Sequence, residues 1–319
     1  MNKTILMAVD GSEKCCAAMA TIGALFKNSP DHGLLLLHCV PQTGGLYPGE
    51  ITSPIFETRG VEASLSGQRR AGQEVLDRSA RALLDIGFPR DRVNLKLKLN
   101  SVDPARDILE EAEAQRVHAI ALGRRGLNKV ETILLGSVSS RVARESWNRA
   151  VWIVDSPVFP TGGVLVAVEG LPECHALTQH ASDSFATLSD MRFTFLNFIA
   201  PRPPGLWDDG HILSDAEKAE RHAQIEKWQS ERVQEVRDFM EEGREFLLQK
   251  GVVADSIHTR IEEASEGVSR DLLNDIAQKQ YQIVMIGKKS FKKKAPFLIG
   301  SHANKLLHNV KQTILCLVG

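Results

Sequence analysis

The sequence predicts an α/β protein made of two doubly wound parallel sheets, five strands each, in tandem. Three observations predict it. Apolar runs and helical stretches alternate as βαβαβαβαβ, and the series occurs twice. The apolar runs are continuous rather than alternating, as in strands covered on both faces of a parallel sheet. A glycine spacing also recurs: Gly123 and Gly126 precede Gly136-Ser137, and Gly287 and Ser290 precede Gly300-Ser301.

The first strands are Thr4-Ile5-Leu6-Met7-Ala8-Val9 and Val164-Leu165-Val166-Ala167-Val168. Each ends in an acid and a glycine, Asp10-Gly11 and Glu169-Gly170. Helical stretches follow at 14–26 and 173–188, then second strands at 34–40 and 193–199. Helices at 63–86 and 214–250 lead to third strands at 93–97 and 257–261. Helices at 103–115 and 266–279 lead to fourth strands at 120–122 and 283–286, which run into the glycine loops. Helices at 137–146 and 301–308 and strands at 151–154 and 313–318 close each half.

The two halves keep register. Asp10 to Glu169 and His38 to Asn197 are both offset by 159 residues. Val93 to Ile257, Gly123 to Gly287 and Gly136 to Gly300 are offset by 164. The extra residues enter between the second and third strands, in a connection that tolerates insertion. Pro157, Pro160, Gly162 and Gly163 mark the boundary, giving domains at 1–157 and 163–319. Two irregular segments, 42–60 and 201–212, carry Tyr47, Phe56 and Trp207. They are expected as lids, contact surfaces or plain surface loops.

Composition narrows the function. Of 319 residues, 43% are apolar and 25% charged, as in ordinary globular domains. A net charge of −1 gives no footprint for nucleic acid or an anionic membrane. No apolar run nears the roughly 18 residues of a membrane span, and the N-terminus has no signal-peptide pattern. A cytoplasmic location is expected. The five cysteines form no C-x-x-C pair, and Cys174-His175 with His180 has poor ligand spacing. Reduced thiols and no metal site are the expectation.

A doubly wound sheet binds ligands beyond the carboxyl ends of its strands, at the switch point. Asp10-Gly11-Ser12 and the first glycine loop converge there. Gly123, Gly126, Gly136, Ser137, Val138 and Ser139 are candidates to cradle phosphate, because glycines admit an anion and free N–H groups at a helix start point at it. The alternative is a tight turn with a helix cap. Asp10 either caps the following helix or meets a ligand. Arg124 and Arg125 either neutralise phosphate or stand in solvent. Lys288, Lys289, Lys292, Lys293 and Lys294 place positive charge in the second loop, a solvated face or a site for a different anion. His38 reads as a hydrogen-bonded core residue and Cys39 as a small buried hydrophobe. No P-loop, nucleophile elbow or kinase loop is present, so no catalytic residue is assigned.

Asp10-Gly11-Ser12, Leu36-Leu37-His38 and the G-x2-G-x9-G-S spacing together resemble the universal stress proteins, in their tandem form, over essentially the whole chain. The resemblance implies an adenine nucleotide alpha hydrolase-like, Rossmann-type three-layer sandwich. It implies ATP, or ADP or AMP, with or without magnesium, as ligand. Asp10 would sit near the ribose or adenine, Cys39 and Val40 along the adenine pocket, and the glycine loop on the phosphates. The second half departs from the pattern at Glu169, at Leu171 after Gly170, at Phe198 and at Ser290, so its Gly287, Gly300 and Ser301 are expected to bind weakly or not at all. Slow ATP hydrolysis, self-phosphorylation on Ser137 or Ser139, and a purely structural interaction module are the other readings. Family members pair through the last strand, which implies an intramolecular pseudo-dimer of the two halves. A homodimer and an unidentified protein partner remain open.

Overall fold

The computed structural model describes residues 3–42, 54–124, 135–168, 171–200, 214–288 and 299–319, with backbone alone for 54–64 and 171–174. The chain divides into two compact units, changing over between Val158 and Phe159.

Unit 1 runs β1 (Lys3–Ala8), α1 (Glu13–Phe26), β2 (His32–Pro41), α2 (Pro54–Asp85), β3 (Val93–Ser101), α3 (Pro104–Ala114), β4 (Ala119–Gly123), α4 (Ser137–Glu145) and β5 (Ala150–Val154). Its strands lie in the order β3-β2-β1-β4-β5, all parallel. The order reverses between β1 and β4, which creates the switch point. The central strands are apolar on both faces: Ile5, Leu6 and Met7 have no exposed surface, nor do Ala119, Ile120 and Ala121. Each large side chain buried this way contributes about 1.5–3 kcal/mol, which is why these runs read as unbroken.

Unit 2 repeats the plan: β6 (Gly163–Ala167), α5 (Leu171–Phe185), β7 (Arg192–Ile199), α6 (Asp215–Gln249), β8 (Ile257–Glu263), α7 (Val268–Lys279), β9 (Ile283–Gly287), α8 (Ser301–Asn309) and β10 (Ile314–Val318). The order β8-β7-β6-β9-β10 is that of unit 1 strand for strand. The register repeats as well. Leu34 pairs with Val93 in one unit and Phe193 with Ile257 in the other, as the two offsets require.

The main difference from expectation is α2. It begins at Pro54, so 54–60 is helix rather than irregular chain. A proline suits the first turn, where its missing N–H has no intrahelical partner. Residues 43–53 and 201–213, with Tyr47 and Trp207, lie outside the described residues, as does the side chain of Phe56. The third strand is also longer than its apolar pattern, reaching Ser101. Its alternating Lys96 and Lys98 pair with Glu111 and Asp107 of α3 at 3.5 and 3.4 Å, so polar residues there still face a covering helix.

At the amino-terminal end of the unit 1 sheet, Arg92 fastens the end of α1. Its guanidinium donates to the carbonyls of Phe26 (3.3 Å) and His32 (2.9 Å), and to those of Lys27 and Ser29. These include the last carbonyls of a helix, which lack intrahelical donors. His32 is fully buried, accepts or donates at 2.7 Å to Ser29, and lies 4.4 Å from the Phe26 ring.

Candidate functional site

The turn after β1 is built by three residues. Asp10 accepts from the Ser12 amide at 2.9 Å and from its hydroxyl at 2.7 Å. Such an Asx-type turn needs its middle residue in a left-handed conformation, and Gly11 has φ +77°. Ser12, not Asp10, is the N-cap of α1, accepting from the Cys15 amide at 3.2 Å. The Asp10 carboxylate is therefore fixed and half-buried rather than spent on the cap.

Helix α4 starts at the same end of the sheet. Gly136 is its N-cap, with φ −65° and ψ 149°, and its own N–H bonds the Arg124 carbonyl at 2.9 Å. A glycine cap brings no side-chain acceptor, so the N–H groups of Ser137, Val138 and Ser139 have no intrahelical partner. Ser139 is turned inward: its hydroxyl donates to the Gly123 carbonyl at 2.9 Å, tying the helix start to the end of β4.

Between these features lies a cavity of about 590 Å³. Its apolar wall is Val9, Leu37, Ile108, Leu122 and Leu135. Its polar lining includes Asp10, His38, Gly123, Gly136, Ser137 and Ser139. The volume falls within the range usual for small-molecule sites, about 300–1,000 Å³.

His38 sits at the edge of this space, its Nδ1 2.6 Å from the Val9 carbonyl. Facing a carbonyl, Nδ1 carries the hydrogen, which makes His38 a clamp between β1 and β2. The Cys39 and Cys15 thiols also line the cavity, and burial pushes each up to about 12. They act as small apolar groups, not nucleophiles.

Two expected lining residues are elsewhere. Val40 is not among the lining residues: it is buried beside Gly72 of α2, where an added Cβ would stand 2.7 Å from a Val40 methyl. The β2–β3 register shifts between Cys39 and Pro41, so Val40 sits at an irregularity of the strand. Arg124 is neither solvated nor among the lining residues. It is 5% exposed and its guanidinium lies 3.9 Å from the Asp155 carboxylate. Arg125 and Gly126 fall outside the described residues. Pro104 and Ile108 of α3 line the cavity without having been anticipated. The available signal was positional: α3 begins directly after β3, at the carboxyl end of the sheet.

Unit 2 keeps part of this arrangement. Asn197 stands where unit 1 has His38 and donates its amide to the Val168 carbonyl at 2.5 Å, the same strand-to-strand clamp. Gly300 caps α8 as Gly136 caps α4, with φ −56° and ψ 153° and Ser301 first in the helix. Gly287 ends β9 as Gly123 ends β4. The walls differ. Phe198 replaces Cys39, and Ala303 replaces Ser139, removing that hydroxyl. Lys288 replaces Arg124 and is buried, not solvated, which pushes its ammonium down to about 7. Glu169, Ser290, Lys289, Lys292, Lys293 and Lys294 lie outside the described residues.

Fold and site together define a class: a duplicated, Rossmann-like α/β unit with a Gly-Ser helix start at the switch point of each sheet. Comparison with known proteins gives the family. The family model of the universal stress protein family matches residues 1–154 and again 162–317. The chain belongs to the universal stress protein family, with two such domains in tandem. It is 31% identical over 148 residues to a universal stress protein of Thermus aquaticus encoded beside a QAH/OAS sulfhydrylase, an alignment spanning 46% of this chain and 94% of that protein. Its fold matches the crystal structure of a universal stress protein from Archaeoglobus fulgidus (TM-score 0.63, 17% identity, 99% of this chain and 97% of the other). A functionally unknown protein of Pseudomonas aeruginosa is also similar (TM-score 0.56, 16% identity, 99% and 92%). Among the described residues no helix is long and apolar enough to cross a membrane.

Proposed function

We propose that unit 1 binds ATP, or ADP or AMP, in the cavity at its switch point, that unit 2 binds it weakly or not at all, and that the protein works as a stress-response regulator read through this single site. The observation that carries the reading is the cavity of about 590 Å³ lined on one side by the first turn of α4. Apolar walls suit the faces of a purine, and three helix-start N–H groups with no intrahelical partner suit phosphate oxygens. The fixed Asp10 carboxylate offers an acceptor to ribose hydroxyls. In unit 2, a phenylalanine in place of Cys39 takes up room where the purine would lie.

The test is to denature freshly purified, untagged protein and identify released nucleotide by chromatography, with its molar ratio. About one adenine nucleotide per chain is expected. None, together with no heat on titration with ATP, sinks the reading and leaves an interaction module whose pocket is structural. Two per chain would refute the silent second unit.

A further inference from the structure

We propose that unit 2 carries a second ligand site, unrelated to the nucleotide cavity, that takes a small phosphate-class polyanion at the amino-terminal end of its sheet. A cavity of about 340 Å³ opens there, at the starts of β6, β7 and β8 and the end of α7. Arg192, His258, Arg260 and Lys279 line it with Thr194 and Tyr281, and no carboxylate is among the described lining residues.

The charges divide into two groups. Arg260 is structural: it binds Asp275 at 2.8 Å and also Glu262, and donates to the Tyr281 hydroxyl at 3.3 Å. Tyr281 in turn donates to Asp275 at 3.1 Å. This network uses both neighbouring carboxylates. Arg192 and Lys279 make no ion pair among the described residues. Arg192 donates to the Thr161 carbonyl at 2.8 Å, which orients the guanidinium without neutralising it. Lys279 and His258 make no ion pair among the described residues. A lysine in the last turn of a helix is often there for the helix dipole, but that accounts for Lys279 alone.

The duplicated scaffold supplies an internal control. The positions of Arg192, His258, Lys279 and Tyr281 are Gly33, Asn94, Gln115 and Val117 in unit 1. The strand pairing around them is the same, Leu35 with Asn94 and Thr194 with His258. The remaining cation, Lys96 at the position of Arg260, is paired with Glu111 at 3.5 Å. The fold stands without these cations, so their convergence in unit 2 is not a packing requirement. Arginine forks match phosphate oxygens, and several like charges in one cleft raise the local anion concentration.

Inorganic pyrophosphate is the probe, titrated calorimetrically at low salt into the intact chain carrying Gly136→Trp, which closes the unit 1 cavity. One saturable site is expected. It should weaken at least 10-fold on adding Lys279→Glu, an exposed change at a helix end, and comparably with Arg192→Gln. No saturable binding, or binding that Lys279→Glu leaves unchanged, overturns the proposal. If Gly136→Trp does not fold, Lys279→Glu in the otherwise natural chain should remove one pyrophosphate equivalent while ATP stoichiometry stays fixed. Loss of ATP binding in that variant, or no loss of pyrophosphate, would count against it.

Discussion

Units 1 and 2 share strand order, register, the clamp from the second strand to the first, and a glycine at the start of the last helix. They differ in what surrounds those features. His38 and Asn197 are different residues performing one task, donating to the carbonyl just past the end of the first strand. Cys39 and Phe198 occupy one position with different volumes, and Ser139 and Ala303 differ by a hydroxyl that ties helix to strand. Backbone hydrogen-bonding needs have been kept through duplication, while cavity walls have diverged. That pattern separates what the fold demands from what a ligand demands.

The paired helix caps should show the largest functional difference between the units. Gly136→Trp places an indole among the cavity-lining residues, and neither glycine has a φ that forbids a side chain. Nucleotide affinity measured by calorimetry should fall more than about 100-fold, the scale of losing the phosphate contacts and the space together. Gly300→Trp should change neither affinity nor stoichiometry. Equal losses from the two variants would mean that the units bind alike.

A smaller effect should come from building the site back. Phe198→Cys combined with Glu169→Asp and Ser290→Gly gives unit 2 the residues of unit 1 at three departures. The nucleotide released per chain should rise from about one toward two, with the new site roughly 10-fold weaker because Ala303 still lacks the hydroxyl of Ser139. A ratio that stays at one would place the asymmetry in other residues.

The fold was legible because parallel-sheet strands announce themselves as unbroken apolar runs, and because two copies check each other's register. Ile5-Leu6-Met7 and Val164-Leu165-Val166 could hardly be anything else. The start of α2 was hidden: 54–62 has no apolar period, and Pro54 reads as a breaker unless the first turn is considered. At the site, glycine spacing located the cavity, yet side-chain direction was beyond reach. For Arg124 the sequence left phosphate and solvent equally open, because its burial beside Asp155, 31 residues on, has no local signal. Val40 looked equivalent to Cys39, yet it packs beside Gly72 and is not among the lining residues.

The opposite end of each unit gives a comparison in acid. Burial pushes His32 down to about 3 from an ordinary 6.5, with Lys3, His118 and Arg92 adding to the effect. The folded state holds it neutral while the unfolded chain takes a proton, so its contribution is complete above pH 6.5 and falls away between 6.5 and 3. At pH 5 the loss is about 2 kcal/mol, 1.5 units at about 1.36 kcal/mol each. Unit 2 has Met191 at this position. His32→Met should therefore flatten the fall in urea-unfolding stability between pH 7 and 5, and an unchanged slope would clear His32 of the acid sensitivity.

The smallest effect tests how much of the nucleotide site is helix placement. Ser139→Ala installs the unit 2 residue in unit 1 and removes the bond to the Gly123 carbonyl, leaving that half-buried acceptor with one partner fewer. A hydrogen bond of this kind contributes about 0.5–1.5 kcal/mol net. Thermal stability should drop by that amount. Affinity should drop by roughly 3- to 10-fold if the bond also holds the first-turn N–H groups at the right distance from phosphate. The two losses need not travel together, and that makes the variant informative. Equal stability loss with unchanged affinity would show that α4 is held in place by its packing alone, through Val142 and Ala143, both fully buried. Affinity lost for ATP but retained for adenosine would put the effect on the phosphates, where the N–H groups of Ser137, Val138 and Ser139 lie, and would make Ala303 a sufficient reason for unit 2 to hold phosphate less tightly.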